Sequence, residues 1–130
     1  MAGHFPTQIM RILLVEDDKF FREFYAFKLK EKNLEVGQAG DGEEALKIIP
    51  EFKPDIILLD LIMPKKDGFE LLQDLSSDNI LSQIPVLVFS TLGQQKDIDR
   101  AIQLGAKGYV NKSFFDFDNL LKEILQLVKK

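Results

Sequence analysis

The stretch that decides the architecture is Pro54-Asp-Ile-Ile-Leu-Leu-Asp-Leu-Ile-Met-Pro-Lys-Lys-Asp-Gly68. Ile56 to Leu59 is a run of branched apolar residues with no polar face, which predicts a strand buried on both sides. Such strands belong to parallel sheets covered by helices. Asp60 ends the run, and Met63-Pro64 and Asp67-Gly68 follow as turn signals that stop the strand. Open α/β sheets bind ligands outside the carboxyl ends of their strands, so Asp60 stands where chemistry is expected. Taken singly, an Asp at a strand end is most often a turn former or helix cap. Its neighbours at the other strand ends decide between the two readings.

Upstream, Ile12 to Val15 is a second buried strand that runs into Glu16-Asp17-Asp18. A helix follows to about Lys32, with Phe20, Phe21, Phe24, Tyr25 and Phe27 falling mostly three and four apart. These are more rings than one core-facing stripe readily buries, which leaves two readings open: a ring exposed as a partner site, or all five filling the edge of the core. Leu34 to Ala39 is a weakly signalled strand, and Asp41-Gly-Glu-Glu44 resembles a capping box before a helix carrying Ala45, Leu46, Ile48 and Ile49. Pro50 and Pro54 punctuate the way into the central strand.

Downstream, Phe69, Leu71, Leu72 and Leu75 predict a short helix that ends near Ser76-Ser-Asp-Asn79. Val86 to Phe89 is a buried strand ending in Ser90-Thr91, and Gln95 to Leu104 is a helix stopped by Gly105, suited to a left-handed cap. Lys107 to Val110 is the last strand, closed by Asn111-Lys112. The final helix carries Phe117, Leu120, Leu121, Ile124, Leu125 and Val128 on one face, with Lys129-Lys130 near its carboxyl end. Five strands alternating with five helices predict a three-layer, doubly wound α/β domain with a parallel sheet and right-handed crossovers.

Composition narrows the function. The chain has 130 residues, enough for one domain with a substantial core. Residues 1–9 lack periodicity and are expected to form a disordered or appended leader, with the folded domain at 10–130. A net charge of −4 argues against nucleic acid as a direct partner. The absence of Cys excludes disulfides, thiolate catalysis and Cys-ligated metals. His4, the one histidine, lies in the leader, so no general-base His serves the body of the chain. No apolar run reaches the roughly 20 residues that span a bilayer, and no secretory signal is visible, so the expected setting is the cytoplasm, without a membrane partner.

The strand ends carry Glu16 and Asp17 after the first, Asp60 after the third, Ser90 after the fourth and Lys112 after the fifth. A parallel sheet puts all of them on one rim. Three carboxylates there repel one another unless a cation sits among them or one is protonated. A hard cation such as Mg²⁺, held by carboxylates, waters and a phosphoryl group, suits this inventory, and no calcium-loop spacing is present. Lys112 adds a positive charge for an anion, and the Ser90 hydroxyl adds a hydrogen bond.

From Met10 to the C-terminus the chain resembles the receiver domains of two-component response regulators, close to the single-domain chemotaxis regulators. Val15-Glu-Asp-Asp18 resembles the family's acidic pair, and Leu59-Asp-Leu-Ile-Met-Pro64 its phosphoacceptor motif. The resemblance implies a flavodoxin-like fold with strand order 2-1-3-4-5. It implies Asp60 as phosphoacceptor, and Glu16, Asp17, Asp60 and the Ile62 backbone carbonyl as Mg²⁺ ligands. Lys112 is implied as the phosphoryl contact, Ser90 and Tyr109 as switch residues, and Ile62 and Leu92 as the side chains that set the lifetime of the phosphorylated state. Its implied partners are a histidine kinase or phosphotransfer protein and a downstream protein met by the fourth helix, last strand and fifth helix. A phosphorylation-dependent homodimer is also compatible with it. Such a chain is no enzyme beyond its own phosphorylation and slow dephosphorylation.

One position departs from the family. Ser113 stands where a proline, often cis, usually follows the lysine. A cis bond before Ser costs about 2.5–4 kcal/mol, so trans is expected. This departure is the one support for a rival reading, a phosphorylation-independent pseudo-receiver acting as a binding module. An Asp-nucleophile phosphatase fits less well, because Val15-Glu-Asp-Asp18 lacks the small or hydroxyl residues that follow its acids. The acidic loop would repel the phosphate of a flavin.

Overall fold

The computed structural model describes residues 9–128, apart from the side chain of Phe114. The expectations for a leader at residues 1–8 and for Lys129-Lys130 fall outside the described residues. Five strands, β1 (Arg11–Val15), β2 (Glu35–Ala39), β3 (Ile56–Leu59), β4 (Val86–Ser90) and β5 (Gly108–Asn111), form one parallel sheet in the order β2-β1-β3-β4-β5. They alternate with α1 (Lys19–Lys30), α2 (Gly42–Phe52), α3 (Gly68–Ser76), α4 (Gln95–Gln103) and α5 (Phe117–Val128). This is the doubly wound parallel domain that the residue pattern predicts, in the flavodoxin-like strand order that the resemblance implies.

The alternation of side chains along each strand builds two cores. Leu13, Val15, Ile57, Leu59, Val86 and Val88 face Ala45 and Ile49 of α2, Leu71, Leu72 and Leu75 of α3, and Ala101 of α4. Ile12, Leu14, Ile56, Leu58, Leu87 and Phe89 face Tyr25, Ala26 and Leu29 of α1 and Leu120 and Ile124 of α5. Every residue from Ile56 to Leu59 is fully buried, at about 1.5–3 kcal/mol of transfer free energy each. The central strand therefore has no freedom to slip, and Asp60 is fixed at its end.

Several local details differ from the sequence reading. Pro50 lies inside α2, one turn before Lys53 ends the helix with a left-handed backbone (φ 53°). Proline forbids only its own donor and crowds the preceding turn, so the last turn persists beyond it. Asp41 accepts from the Glu44 N–H, but the Glu44 carboxylate reaches back to Gly40 rather than to Asp41, so the capping box there is incomplete. The complete box is at Asp67 and Glu70, where each side chain accepts from the other's backbone N–H. Gly105 takes φ 114° after α4, as its sequence position predicts. Short 3₁₀ turns at Leu81–Gln83 and Lys112–Phe114 have no periodic signature in the sequence. The Lys112–Ser113 bond is trans, since no described peptide bond is cis.

Candidate functional site

Register brings the acids together. Val15 pairs with Leu59, and the Asp60 N–H donates to the Val15 carbonyl at 3.0 Å, so Glu16 and Asp60 leave the sheet side by side. Asp18 turns away to cap α1, accepting from the Phe21 N–H at 3.1 Å, which leaves Asp17 exposed at the rim. Gly68 makes the tight return after β3. A Cβ there would stand 2.5 Å from the Asp60 carbonyl oxygen, so only glycine permits the loop to pass this close to Asp60.

One carboxylate oxygen from each of Glu16, Asp17 and Asp60 lies within 4.8 Å of the others. Around a six-coordinate Mg²⁺ adjacent oxygens stand about 3 Å apart and opposed ones about 4 Å, so this all-oxygen set fits a small hard cation once the carboxylates draw in around it. Three carboxylates face one ammonium. Lys112 Nζ bonds Glu16 Oε1 and lies 3.4 Å from Asp60 Oδ2, with its side chain only 11% exposed. Burial raises the Glu16 pKa, although the Lys112 contact and the Asp18 N–H (3.1 Å) draw it down. Burial also works to lower the Lys112 pKa, but the Glu16 bond and the Asp60 charge outweigh it and leave it raised. Lys112 is therefore a fixed cation at the mouth of an acid cluster with room for a second one.

Ser90 and Tyr109 form an adjoining group. Ser90 is fully buried, and its Oγ accepts from the Leu92 N–H at 3.3 Å. The Tyr109 hydroxyl donates to the Leu92 carbonyl, tying β5 to the loop that precedes α4. Burial pushes the Tyr109 pKa up, and the Asp97 charge adds to it. Leu92 is half-buried, packed on the core that faces α2, α3 and α4. Ile62 is exposed, with its N–H 3.4 Å from Asp60 Oδ1.

A family model for the response regulator receiver domain matches residues 12–125. The chain belongs to this family. Curated relatives include the DNA-binding dual master transcriptional regulator RpaA of Synechocystis, 34% identical over 92% of this chain and 49% of that protein. The transcriptional regulatory protein PdtaR of Mycobacterium tuberculosis is 35% identical over 80% of this chain and 50% of its own length. The receiver spans about half the length of these relatives. Among solved structures, the receiver domain of the Francisella response regulator 1452 superimposes with a TM-score of 0.84 at 32% identity, covering 92% of this chain and 97% of that one. The BeF3-activated receiver domain of Klebsiella pneumoniae RstA gives 0.86 at 28% identity, covering 92% and 99%.

The receiver brings Glu16, Asp17, Asp60 and Lys112 into one cluster and sets Ser90, Tyr109 and Leu92 beside it. Sequence reasoning missed the residues that support this cluster. Arg22 donates to the Glu16 carbonyl at 2.9 Å and to Gln38 at 3.2 Å. The Asn111 side chain accepts from the Ser113 N–H at 2.7 Å and so shapes the turn that carries Lys112. Tyr25 and Phe89 place their rings within 6 Å of the Lys112 ammonium. Asn111 alone had a usable signal, since Asn two residues before a backbone donor commonly forms such a turn.

Proposed function

We propose that this receiver takes a phosphoryl group onto Asp60 from a phosphohistidine of a kinase or phosphotransfer protein. The observation that carries the reading is the ammonium of Lys112, held between Glu16 and 3.4 Å from Asp60 at the edge of a three-carboxylate cluster. An Asp60 oxygen attacks phosphorus, the phosphorus–nitrogen bond breaks, and the imidazole leaves with that electron pair. Lys112 offsets charge on the transferring oxygens, which is where enzymes of phosphoryl transfer place their cations. Glu16, Asp17, Asp60 and the Ile62 carbonyl would hold Mg²⁺, which would supply the positive charge that offsets the remaining negative charge. The protein then catalyses its own modification and slow hydrolysis, and no other reaction.

The Ser90 hydroxyl and Tyr109 respond to the new charge by rearranging the Leu92 loop, and the output is a protein contact on α4, β5 and α5. Labelling with a small acyl phosphate and Mg²⁺ tests the reading. One hydroxylamine-labile phosphate per chain is expected, and none in Asp60→Asn. Undiminished labelling of that variant rules out Asp60 as acceptor. A wild type that takes no label, yet binds its partner as Asp60→Asn does, supports the phosphorylation-independent module instead.

A further inference from the structure

The ion pair of Lys112 with Glu16 engages the same carboxylate that a cation at this site would use. A divalent cation among Glu16, Asp17 and Asp60 takes the same Glu16 carboxylate that the ammonium now holds, and it repels that ammonium. The residue after Lys112 is Ser113, whose φ no ring fixes, so the backbone alone does not lock the aim of the side chain. Neutral aromatic faces are a seat that the cation does not compete for.

The structure supplies such a seat. Lys112 Nζ lies 5.7 Å from the ring centroid of Tyr25 and 5.5 Å from that of Phe89. These rings are themselves held edge-on: Tyr25 to Phe89 at 5.1 Å and Phe89 to Phe115 at 4.8 Å, with Tyr25 and Phe115 6.1 Å apart. Phe117 closes the cluster from α5, 5.1 Å from Phe115. Tyr25 is the one aromatic of α1 that is buried, and it is the one that faces the lysine.

We propose that Tyr25, backed by Phe89 and Phe115, is a positioning residue for Lys112. Its ring face keeps the ammonium within reach of Asp60 when metal engages Glu16. The inference rests on Asp60 as acceptor only for its kinetic consequence, since the seat itself is a property of the unmodified protein. Ring-face attraction for a desolvated ammonium corresponds to about a three- to thirtyfold effect.

The test compares the full chain with Tyr25→Phe, which keeps a ring, and Tyr25→Leu, which keeps apolar bulk without one. Two quantities are read: the chemical shift of the Lys112 ε-methylene, with and without Mg²⁺, and the rate of labelling by a small acyl phosphate. The ε-methylene should be shifted upfield by the rings in the wild type and in Tyr25→Phe, and should move back toward the other lysines in Tyr25→Leu. Labelling should slow about three- to tenfold in Tyr25→Leu and stay within twofold of wild type in Tyr25→Phe. An ε-methylene shift unaltered in Tyr25→Leu, or equal slowing in both variants, overturns the proposal. Should Tyr25→Leu not fold, a wild-type resonance indistinguishable from surface lysines overturns it just as well. A wild type that takes no label removes the function proposed for Asp60, while the resonance still decides on the seat.

Discussion

Glu16 is the acid whose ionisation the fold opposes most visibly, because it is buried and only partly compensated by Lys112. A carboxyl with a folded pKa above its unfolded value near 4.5 gives stability that is fully present below 4.5 and lost as pH rises through the folded pKa. Cation binding demands the charged form, so protons and metal compete. Mg²⁺ affinity, measured by calorimetry, should therefore fall as pH drops toward the folded Glu16 pKa, and Glu16→Gln should flatten that dependence while weakening binding. Asp17→Ala should weaken binding strongly and Asp18→Ala much less, since the Asp18 carboxylate is committed to the Phe21 N–H. The reverse order would show that Asp18, not Asp17, faces the ion. We propose that Ile62 and Leu92 bear on the next step, hydrolysis. Neither side chain can hydrogen-bond a water in line with the phosphorus, and the exposed Ile62 sheds water by its bulk. Water positioning is commonly worth about 10²–10⁴-fold, which sets the ceiling for its loss. The label on the wild type should decay more slowly than on an Ile62→Asn/Leu92→Glu variant, and equal decay rates would remove these two side chains as lifetime determinants.

At the scale of elements, α1 departs furthest from an ordinary amphipathic helix. Phe20 is 72% exposed and Phe27 61%, with Phe21 and Phe24 near half, so Tyr25 alone of the five rings is core. Replacing Phe20 and Phe27 with Ser should change stability by no more than about 0.5 kcal/mol each, whereas Tyr25→Ala should cost about 3–5 kcal/mol. Urea midpoints separate the two cases, and a large loss at Phe20 would mean that its ring is buried in solution. The surplus of rings was legible from spacing, but which one turns inward was not, because that depends on the sheet beneath. The same division holds elsewhere. Buried strands β1, β3 and β4 were readable because a periodless apolar run has few other uses. The acids and Lys112 were readable because parallel strands deliver their ends to one rim. The Tyr25 seat was not, since α1 and the end of β5 meet only across the folded sheet. The capping boxes show the limit of local pattern: Asp41 and Glu44 have the same spacing as Asp67 and Glu70, yet only the second pair closes reciprocally.

For the molecule as a whole, the question is which part can move when charge arrives at Asp60. α3 is anchored by Phe69, Leu71, Leu72 and Leu75 and by its capping box. α4 buries Ala101 alone, and its first turn has no side-chain cap. Its further ties include the Arg100 guanidinium 4.1 Å over the Phe69 ring, Leu104 packed on the core, and the loop that Tyr109 holds through the Leu92 carbonyl. Beside it, a groove of about 450 Å³ runs between β5 and α5, with Tyr109, Asn111 and Phe115 on its walls. Release of the Tyr109 hydroxyl would free the α4 loop and reshape this groove in one movement. Low burial and a missing cap mean a low free energy of local opening, so α4 amides should exchange faster than those of α3 before phosphorylation. On phosphorylation, chemical-shift changes should spread through α4, β5 and the start of α5. Within α1 they should stop at Tyr25, the ring that feels Lys112 move. Changes that instead cluster on the exposed Phe20, Phe24 and Phe27 would place the output surface on the opposite side of the sheet from α4.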